Sequence, residues 1–237
     1  SSYTMSHAMK YATPPAFAVV SPGVDTDKFQ RRPSTKAQTD ILPPDVTGKP
    51  ILFTLGRLVE CKGHKYLIEA MRLVNKKFNA HLLVGGDGPQ RQDLDHLVSN
   101  KDLENEVTFL GHIPWRRTNF YYSSADIYLQ PSIIDKDGAT EGLGVTIMEA
   151  MACGTPCVGS EVGGIPDLIR DGVNGFLVNP AQPEQLAEKI NILLGDKELR
   201  EKMGSEGRRF VEENYSWNAK AGELMGIYGE LLKKRKK

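Results

Sequence analysis

Ile51-Leu-Phe-Thr-Leu-Gly56 and His81-Leu-Leu-Val-Gly-Gly86 enclose a segment of a different rhythm, and the three parts together decide the fold. The two flanking runs are short and mainly apolar, and each ends in glycine. Strands buried on both faces look like this where they turn into a loop. Between them Leu67, Ile68, Met71, Val74 and Phe78 recur at three- and four-residue spacing, which predicts a helix over Lys65 to Phe78 with one apolar face. Strand, amphipathic helix and strand in that order make a βαβ unit, whose two strands run parallel.

The alternation continues on both sides of this unit. Further strand-like runs are Phe17 to Val20, Val107 to Leu110, Ile127 to Leu129, Pro156 to Val158 and Phe176 to Val178. Helical spacing covers Gln90 to Ser99, Trp115 to Ser124, Val145 to Ala152 and Gln185 to Leu194. The fold class predicted is α/β, a Rossmann-like parallel sheet of about six strands with helices on both faces. From Lys197 onward two long helical patterns, broken around Asn214 to Ser216, are expected to wrap the sheet's edge. Arg31 to Pro50 is rich in Pro, Thr, Asp and Lys and reads as a loop or insertion. Residues 1–15 read as the end of something upstream, which leaves 16–237 as the domain.

Composition narrows the class. In 237 residues Lys+Arg and Asp+Glu both total 30, so the formal net charge is zero and no field draws nucleic acid. No apolar run approaches bilayer-spanning length, and Ser1 to Lys10 lacks the hydrophobic stretch of a signal peptide. Three cysteines make no disulfide framework and point to a reducing compartment. Cys153 and Cys157, in apolar sequence without a nearby His, read as small buried hydrophobes rather than zinc ligands. The expectation is a cytoplasmic protein, with at most peripheral contact at the inner face of a membrane through Lys233 to Lys237.

An open parallel sheet binds ligands beyond the carboxyl ends of its strands, so the residues just after strands carry the functional signal. The strongest feature is Glu141-Gly-Leu-Gly-Val-Thr-Ile-Met-Glu149, two carboxylates separated by seven residues. Gly142 and Gly144 let the backbone approach a ligand, and a helix starting near Gly144 or Val145 would aim unpaired N–H groups at it, a natural diphosphate site. Eight residues of helix advance about 12 Å, so one carboxylate could meet a sugar and the other a ribose. Glu149 sits among Val145, Ile147, Met148, Ala150, Met151 and Ala152, which predicts burial; the plain alternative is a structural pairing with Lys or Arg. After the Ile51 run, Arg57 and Lys62 flank a turn where two cations could hold phosphate oxygens, although a basic loop alone is commonly just solvated. Gly85-Gly86-Asp87-Gly88-Pro89 lacks both the dinucleotide fingerprint and a phosphate-loop ending, which argues against NAD and ATP hydrolysis. Asp135-Lys-Asp137 reads as a polar loop rather than a metal site, so no metal is expected.

Taken in order, these pieces resemble the C-terminal half of family 4 glycosyltransferases. They are Pro22-Gly-Val-Asp25 with Phe29, Gly56-Arg57 with Lys62-Gly63, Gly86-Asp-Gly-Pro89, Phe109-Leu-Gly111, Ala125-Asp126 leading to Gln130-Pro-Ser132, the paired glutamates, Gly163-Gly-Ile-Pro166, Asn174-Gly-Phe-Leu-Val178 and Tyr215-Ser-Trp217. The resemblance covers about Pro15 to Leu232 and implies the donor-binding half of a GT-B enzyme, a retaining transferase that uses a nucleotide diphosphate sugar without a metal or further cofactor. It implies that Arg57 and Lys62 hold the diphosphate, that Glu141 faces the donor sugar, and that Glu149 holds the ribose. It places Gly142, Leu143, Gly144 and Val145 against sugar and phosphate, with Gly56, Gly86, His112 and Ile113 lining the nucleotide. Asp167, Cys61 and Leu143 depart from the commoner family residues.

The same resemblance implies an N-terminal acceptor domain absent from this sequence, with 1–15 as its remnant, and no transfer by this half alone. The donor could be a UDP-, GDP- or ADP-sugar, and the acceptor a glycan or lipid-linked sugar bound through the other half. Two other functions fit a nucleotide-sugar site: a non-catalytic binding module and a nucleotide-sugar 2-epimerase.

Overall fold

A computed structural model describes residues 1–11, 18–31 and 42–234. Six strands follow in chain order: β1 (Ile51–Leu55), β2 (His81–Gly85), β3 (Val107–Gly111), β4 (Ile127–Gln130), β5 (Cys157–Ser160) and β6 (Gly175–Val178). They form one sheet in the order β3-β2-β1-β4-β5-β6, and every neighbouring pair is parallel. Along β1, Leu52 and Phe53 pack into different cores, because successive side chains of a strand point to opposite faces.

Helices cover both faces, as the alternation predicts. α2 (His64–Val74), α3 (Arg91–Asn100) and α6 (Pro183–Gly195) bury Leu67, Ile68, Met71, Leu94, Val98, Leu186 and Ile190 with Leu52, Leu82, Ile127 and Val158. α4 (Trp115–Ser124), α5 (Val145–Ala152) and α7 (Lys197–Tyr215) cover the other face around Phe53, Leu83, Tyr128 and Cys157. α8 (Trp217–Lys234) continues from α7 after Ser216 and leaves Met225, Tyr228, Leu231 and Leu232 exposed, outside the core as expected. Among the described residues, no helix is long and apolar enough to cross a membrane.

Two local expectations need correction. The strand expected at Phe17 to Val20 does not form over its described part: Ala18 to Val20 are exposed and lack a partner strand. Phe17 itself lies outside the described residues, as do positions 32–41 of the expected loop and the last three residues of the basic tail. The helix expected to reach Phe78 ends at Val74, because the Asn75 side chain bonds both the N–H and the carbonyl of Ala80 and closes a turn there. Residues 2–8, read from the sequence only as the end of something upstream, form a short helix, α1 (Ser2–Ala8).

The strand order matters for function. Chain progression reverses between β1 and β4, and a crevice opens outside the carboxyl ends of strands at such a switch point. The loops that leave β1 and β4 begin at Gly56 and Pro131, and they carry Arg57, Lys62 and Glu141.

Candidate functional site

The loops after β1, β2 and β3 are stitched together by their backbones. Gly56 N–H bonds the Gly85 carbonyl at 3.1 Å, and Gly86 N–H bonds the Gly111 carbonyl at 2.7 Å. Gly86 has φ +114°, and a Cβ there would lie 1.9 Å from the Gly56 carbonyl oxygen, so both backbone angle and space demand glycine. Ile113 is buried with its Cδ1 close to Gly85, while His112 beside it is exposed. Gly56, Gly86 and Ile113 thus form one continuous surface, with the exposed Arg57 at its side.

Lys62 and Glu141, 79 residues apart in sequence, meet directly: Lys62 Nζ forms an ion pair with Glu141 Oε2. The Lys62 stem lies alongside Gly56. The backbone at Glu141 is held by the segment after β5, since its carbonyl accepts the Gly164 N–H at 3.0 Å. Gly163, at φ +57°, packs so closely that a Cβ would fall 1.9 Å from the Glu141 carbonyl oxygen. A second donor also reaches Glu141 Oε2: the buried Gln130, whose Nε2 lies 3.2 Å away.

Beyond Glu141 the chain enters α5. Gly144 occupies the N-cap with left-handed backbone (φ 94°, ψ 55°) and no side chain caps the helix, so the first N–H groups of Val145 and its neighbours face outward. Leu143 is buried beneath this turn, and Gly142 and Val145 are exposed above it.

Glu149 sits one side over, on the face of α5 that meets α4. It is half-buried, and its partner is Tyr122, whose hydroxyl donates to Glu149 Oε2 at 2.7 Å. Burial pushes its pKa above the usual carboxylate value, while the Tyr122 bond and the charge of Lys28 pull it partly back. The contact to Glu149 is therefore a phenol rather than the Lys or Arg of a simple ion pair.

Other titratable groups are explained by packing. His64, the first residue of α2, is buried with no partner for its Nδ1, and burial together with Lys62 lowers its pKa to about 4. Cys153 and Cys157 are buried, as read from the sequence, and burial raises both thiol pKa values, that of Cys153 to about 12. Asp135 accepts the backbone N–H groups of Asp137 and Ala139, which makes the Asp135-Lys-Asp137 segment a turn.

Residues 42–210 match the family described as Glycosyl transferases group 1. The chain belongs to that family. As a group 1 glycosyl transferase chain it is 30% identical, over its whole length, to the GDP-mannose-dependent alpha-(1-6)-phosphatidylinositol monomannoside mannosyltransferase of Mycolicibacterium smegmatis, of which it covers 61%. Sucrose-phosphate synthase from Thermosynechococcus elongatus superimposes with a TM-score of 0.83 at 28% identity, covering 99% of this chain and 57% of that one. A C-terminal domain of a glycosyl transferase group 1 family protein from Francisella tularensis matches with a TM-score of 0.72 at 28% identity, covering 82% of this chain and 100% of that one. The chain spans about half the length of the curated relatives it matches, between 36% and 61%. Its Rossmann-like parallel sheet is the fold of GT-B glycosyltransferase structures.

Within this group 1 fold, the residues singled out from the sequence on α5 and the loops beside it fall into two clusters, apart from the surface formed by Gly56, Gly86 and Ile113. One joins Lys62, Glu141 and the α5 N-terminus; the other is Glu149. Three contributors went unassigned in the sequence: Gln130 behind Glu141, Tyr122 behind Glu149, and the Gly163-Gly164 turn under the Glu141 loop. Gln130 is the last residue of β4, at the carboxyl end that carries functional signal, but its partner is invisible without the fold. α1 adds a contact not foreseen either, because Ser2 N–H bonds Asp167 Oδ2 at 2.7 Å and Ser1 Oγ bonds the Gly142 carbonyl.

Proposed function

We propose that this chain is the donor-binding half of a retaining glycosyltransferase that needs no metal and takes a nucleotide diphosphate sugar. The observation that carries the reading is the convergence of Lys62, Glu141 and the uncapped N-terminus of α5 at the sheet's switch point. Two positive groups and a carboxylate in one place suit a ligand that presents a diphosphate next to a polyhydroxylated ring. Likeness to a GDP-mannose-dependent relative supports a nucleotide-sugar donor, and full coverage of an isolated C-terminal domain supports a half-enzyme reading.

In this mechanism the diphosphate is the leaving group. Arg57, Lys62 and the N–H groups at Val145 stabilise the negative charge that grows as the anomeric C–O bond breaks; one such preorganised donor is typically worth about a hundredfold or more in rate. The acceptor hydroxyl attacks from the face that the diphosphate leaves, and its proton passes to the departing phosphate oxygen, which keeps the anomeric configuration. Glu141 accepts hydroxyls of the donor sugar and Glu149 accepts those of the ribose; neither becomes covalently linked. Gly142 and Leu143 shape the sugar's side of the loop, and Gly56, Gly86, His112 and Ile113 line the base and ribose. The acceptor, a glycan or lipid-linked sugar, is bound by the other half.

The test joins this chain to an upstream acceptor half and follows the anomeric configuration of the product. Retained configuration in the joined protein and no transfer by the chain alone are expected. An inverted product, or a glycosyl adduct trapped on Glu141, overturns the mechanism.

A further inference from the structure

Glu141 is held through one oxygen only. Lys62 Nζ and Gln130 Nε2 both reach Oε2, and among the described residues nothing bonds Oε1. The Lys62 end of this arrangement is adjustable, because an ammonium on a flexible stem can turn toward a phosphate. The Gln130 end is not. Gln130 is 2% exposed, and its amide is fully used: Oε1 accepts from Tyr128 Oη at 2.9 Å and Thr146 Oγ1 at 3.1 Å, while Nε2 donates to Ser132 Oγ at 3.0 Å and to Glu141. A flipped amide would set its carbonyl oxygen against the carboxylate, an acceptor facing an acceptor, so Glu141 itself fixes which way the amide points.

Three elements therefore meet on one buried side chain. Thr146 belongs to the first turn of α5, Tyr128 lies on β4 with its hydroxyl 3.3 Å from the Leu55 carbonyl at the end of β1, and Glu141 lies in the loop between β4 and α5. Such a saturated network holds its members at one spacing, since moving any of them strands a buried polar group.

We infer that Gln130 is a positioning residue for donor-sugar recognition: it ties up Oε2 of Glu141 so that Oε1 is the oxygen presented to the sugar, and it locks that oxygen to the first turn of α5. The inference rests on the reading of Glu141 as the donor-sugar carboxylate and adds the residue that aims it.

The test uses calorimetric titration of this chain with two nucleotide pairs, GDP with GDP-mannose and UDP with UDP-glucose. The quantity read is the sugar increment, the ratio of the affinity for the nucleotide sugar to that for its diphosphate. Glu141→Gln should cut the increment, which tests the underlying reading separately. Gln130→Met keeps the volume and removes both donors and acceptor; it should reduce the increment about tenfold, the order expected for a charge-assisted hydrogen bond, while diphosphate affinity stays put. Gln130→Glu places two carboxyls in contact, which raises the pKa of the pair. Its increment should be lost at pH 8 and recover as pH falls and the new carboxyl gains a proton to donate to Glu141; a merely structural role gives no such recovery. If Gln130→Met does not fold, the pH profile of Gln130→Glu carries the test. An increment that falls in Glu141→Gln but is unchanged in Gln130→Met, or absent at every pH in Gln130→Glu, overturns the role of Gln130. An increment unchanged in Glu141→Gln, or binding of neither pair and of neither ADP nor ADP-glucose, overturns the site reading and this inference with it.

Discussion

Replacing Lys62 by Met and Glu141 by Gln, singly and together, measures whether the contact at the heart of the site exists in solution. The two side chains keep 23% and 13% of their exposure, so the pair lies between a surface ion pair and a buried one. Exposed pairs contribute about 0–1 kcal/mol, and breaking a buried pair costs about 3–5 kcal/mol. Lys62→Met leaves Glu141 with only the bond from Gln130, and should cost about 2 kcal/mol. Glu141→Gln should cost less, about 1 kcal/mol, because Lys62 can still reach water and an amide oxygen still accepts. The double variant should be more stable than the sum of the single losses predicts, with a coupling of about 1–2 kcal/mol in urea unfolding. Losses that add to within about 0.5 kcal/mol would refute the contact. The pair has a further consequence for binding, since a diphosphate must share Lys62 with Glu141. Glu141→Gln should therefore bind a nucleoside diphosphate no more weakly than wild type, and up to about tenfold more tightly if about 1.4 kcal/mol of coupling is released. Weaker binding would place Glu141 on the nucleotide rather than the sugar.

Three more outcomes follow from the geometry. Because burial holds the Glu149 pKa above the ordinary value and a ribose diol bonds best to the ionised form, nucleoside diphosphate affinity should fall as pH drops through the mildly acidic range; Glu149→Gln should bind weakly at every pH, and a wild-type slope in that variant counts against the assignment. Tyr122→Phe removes the hydroxyl that donates to Glu149 Oε2 and should raise the Glu149 pKa further, so carbon-13 titration of the carboxyl should show an upward shift, whereas no shift means that the bond is absent. His64 titrates at about 4 in the fold against 6.5 unfolded, so the unfolded chain takes the proton first; its contribution is intact above about pH 6.5 and is lost as pH falls through 4, about 3 kcal/mol in all. Urea unfolding of His64→Gln between pH 7 and pH 4 should show a correspondingly shallower loss, and an unchanged slope would assign the acid sensitivity elsewhere.

The sheet was legible because its central strands are buried on both faces. Runs such as Ile51 to Leu55 and His81 to Val84 carry apolar residues almost without a break and stop at glycine, and α2 between them shows its apolar face in its spacing. The run at Phe17 to Val20 has the same composition, but composition cannot say whether a neighbouring strand is free to pair with it. The end of α2 was hidden for a related reason: Phe78 continues the apolar spacing, while Asn75 bonds Ala80 five residues on and stops the helix. At the site, the paired glutamates and the start of α5 were readable as a motif, because glycines and a helix start leave a local signature. Their partners were not. Lys62 reaches Glu141 across 79 positions, and Tyr122 reaches Glu149 across 27, so each contact exists only once the sheet order is fixed.

The most direct measurement is calorimetric titration of the chain with guanosine, GMP and GDP, with the uridine and adenosine series alongside, repeated for Arg57→Ala and Lys62→Ala. The diphosphate of one base should bind best, with affinity falling as each phosphate is removed. Each substitution should cost the diphosphate on the order of 2–5 kcal/mol, if these charges are desolvated by it, and leave the nucleoside almost unaffected. No binding in any series, or equal losses for nucleoside and diphosphate, would contradict a diphosphate site built from Arg57, Lys62 and the N-terminus of α5.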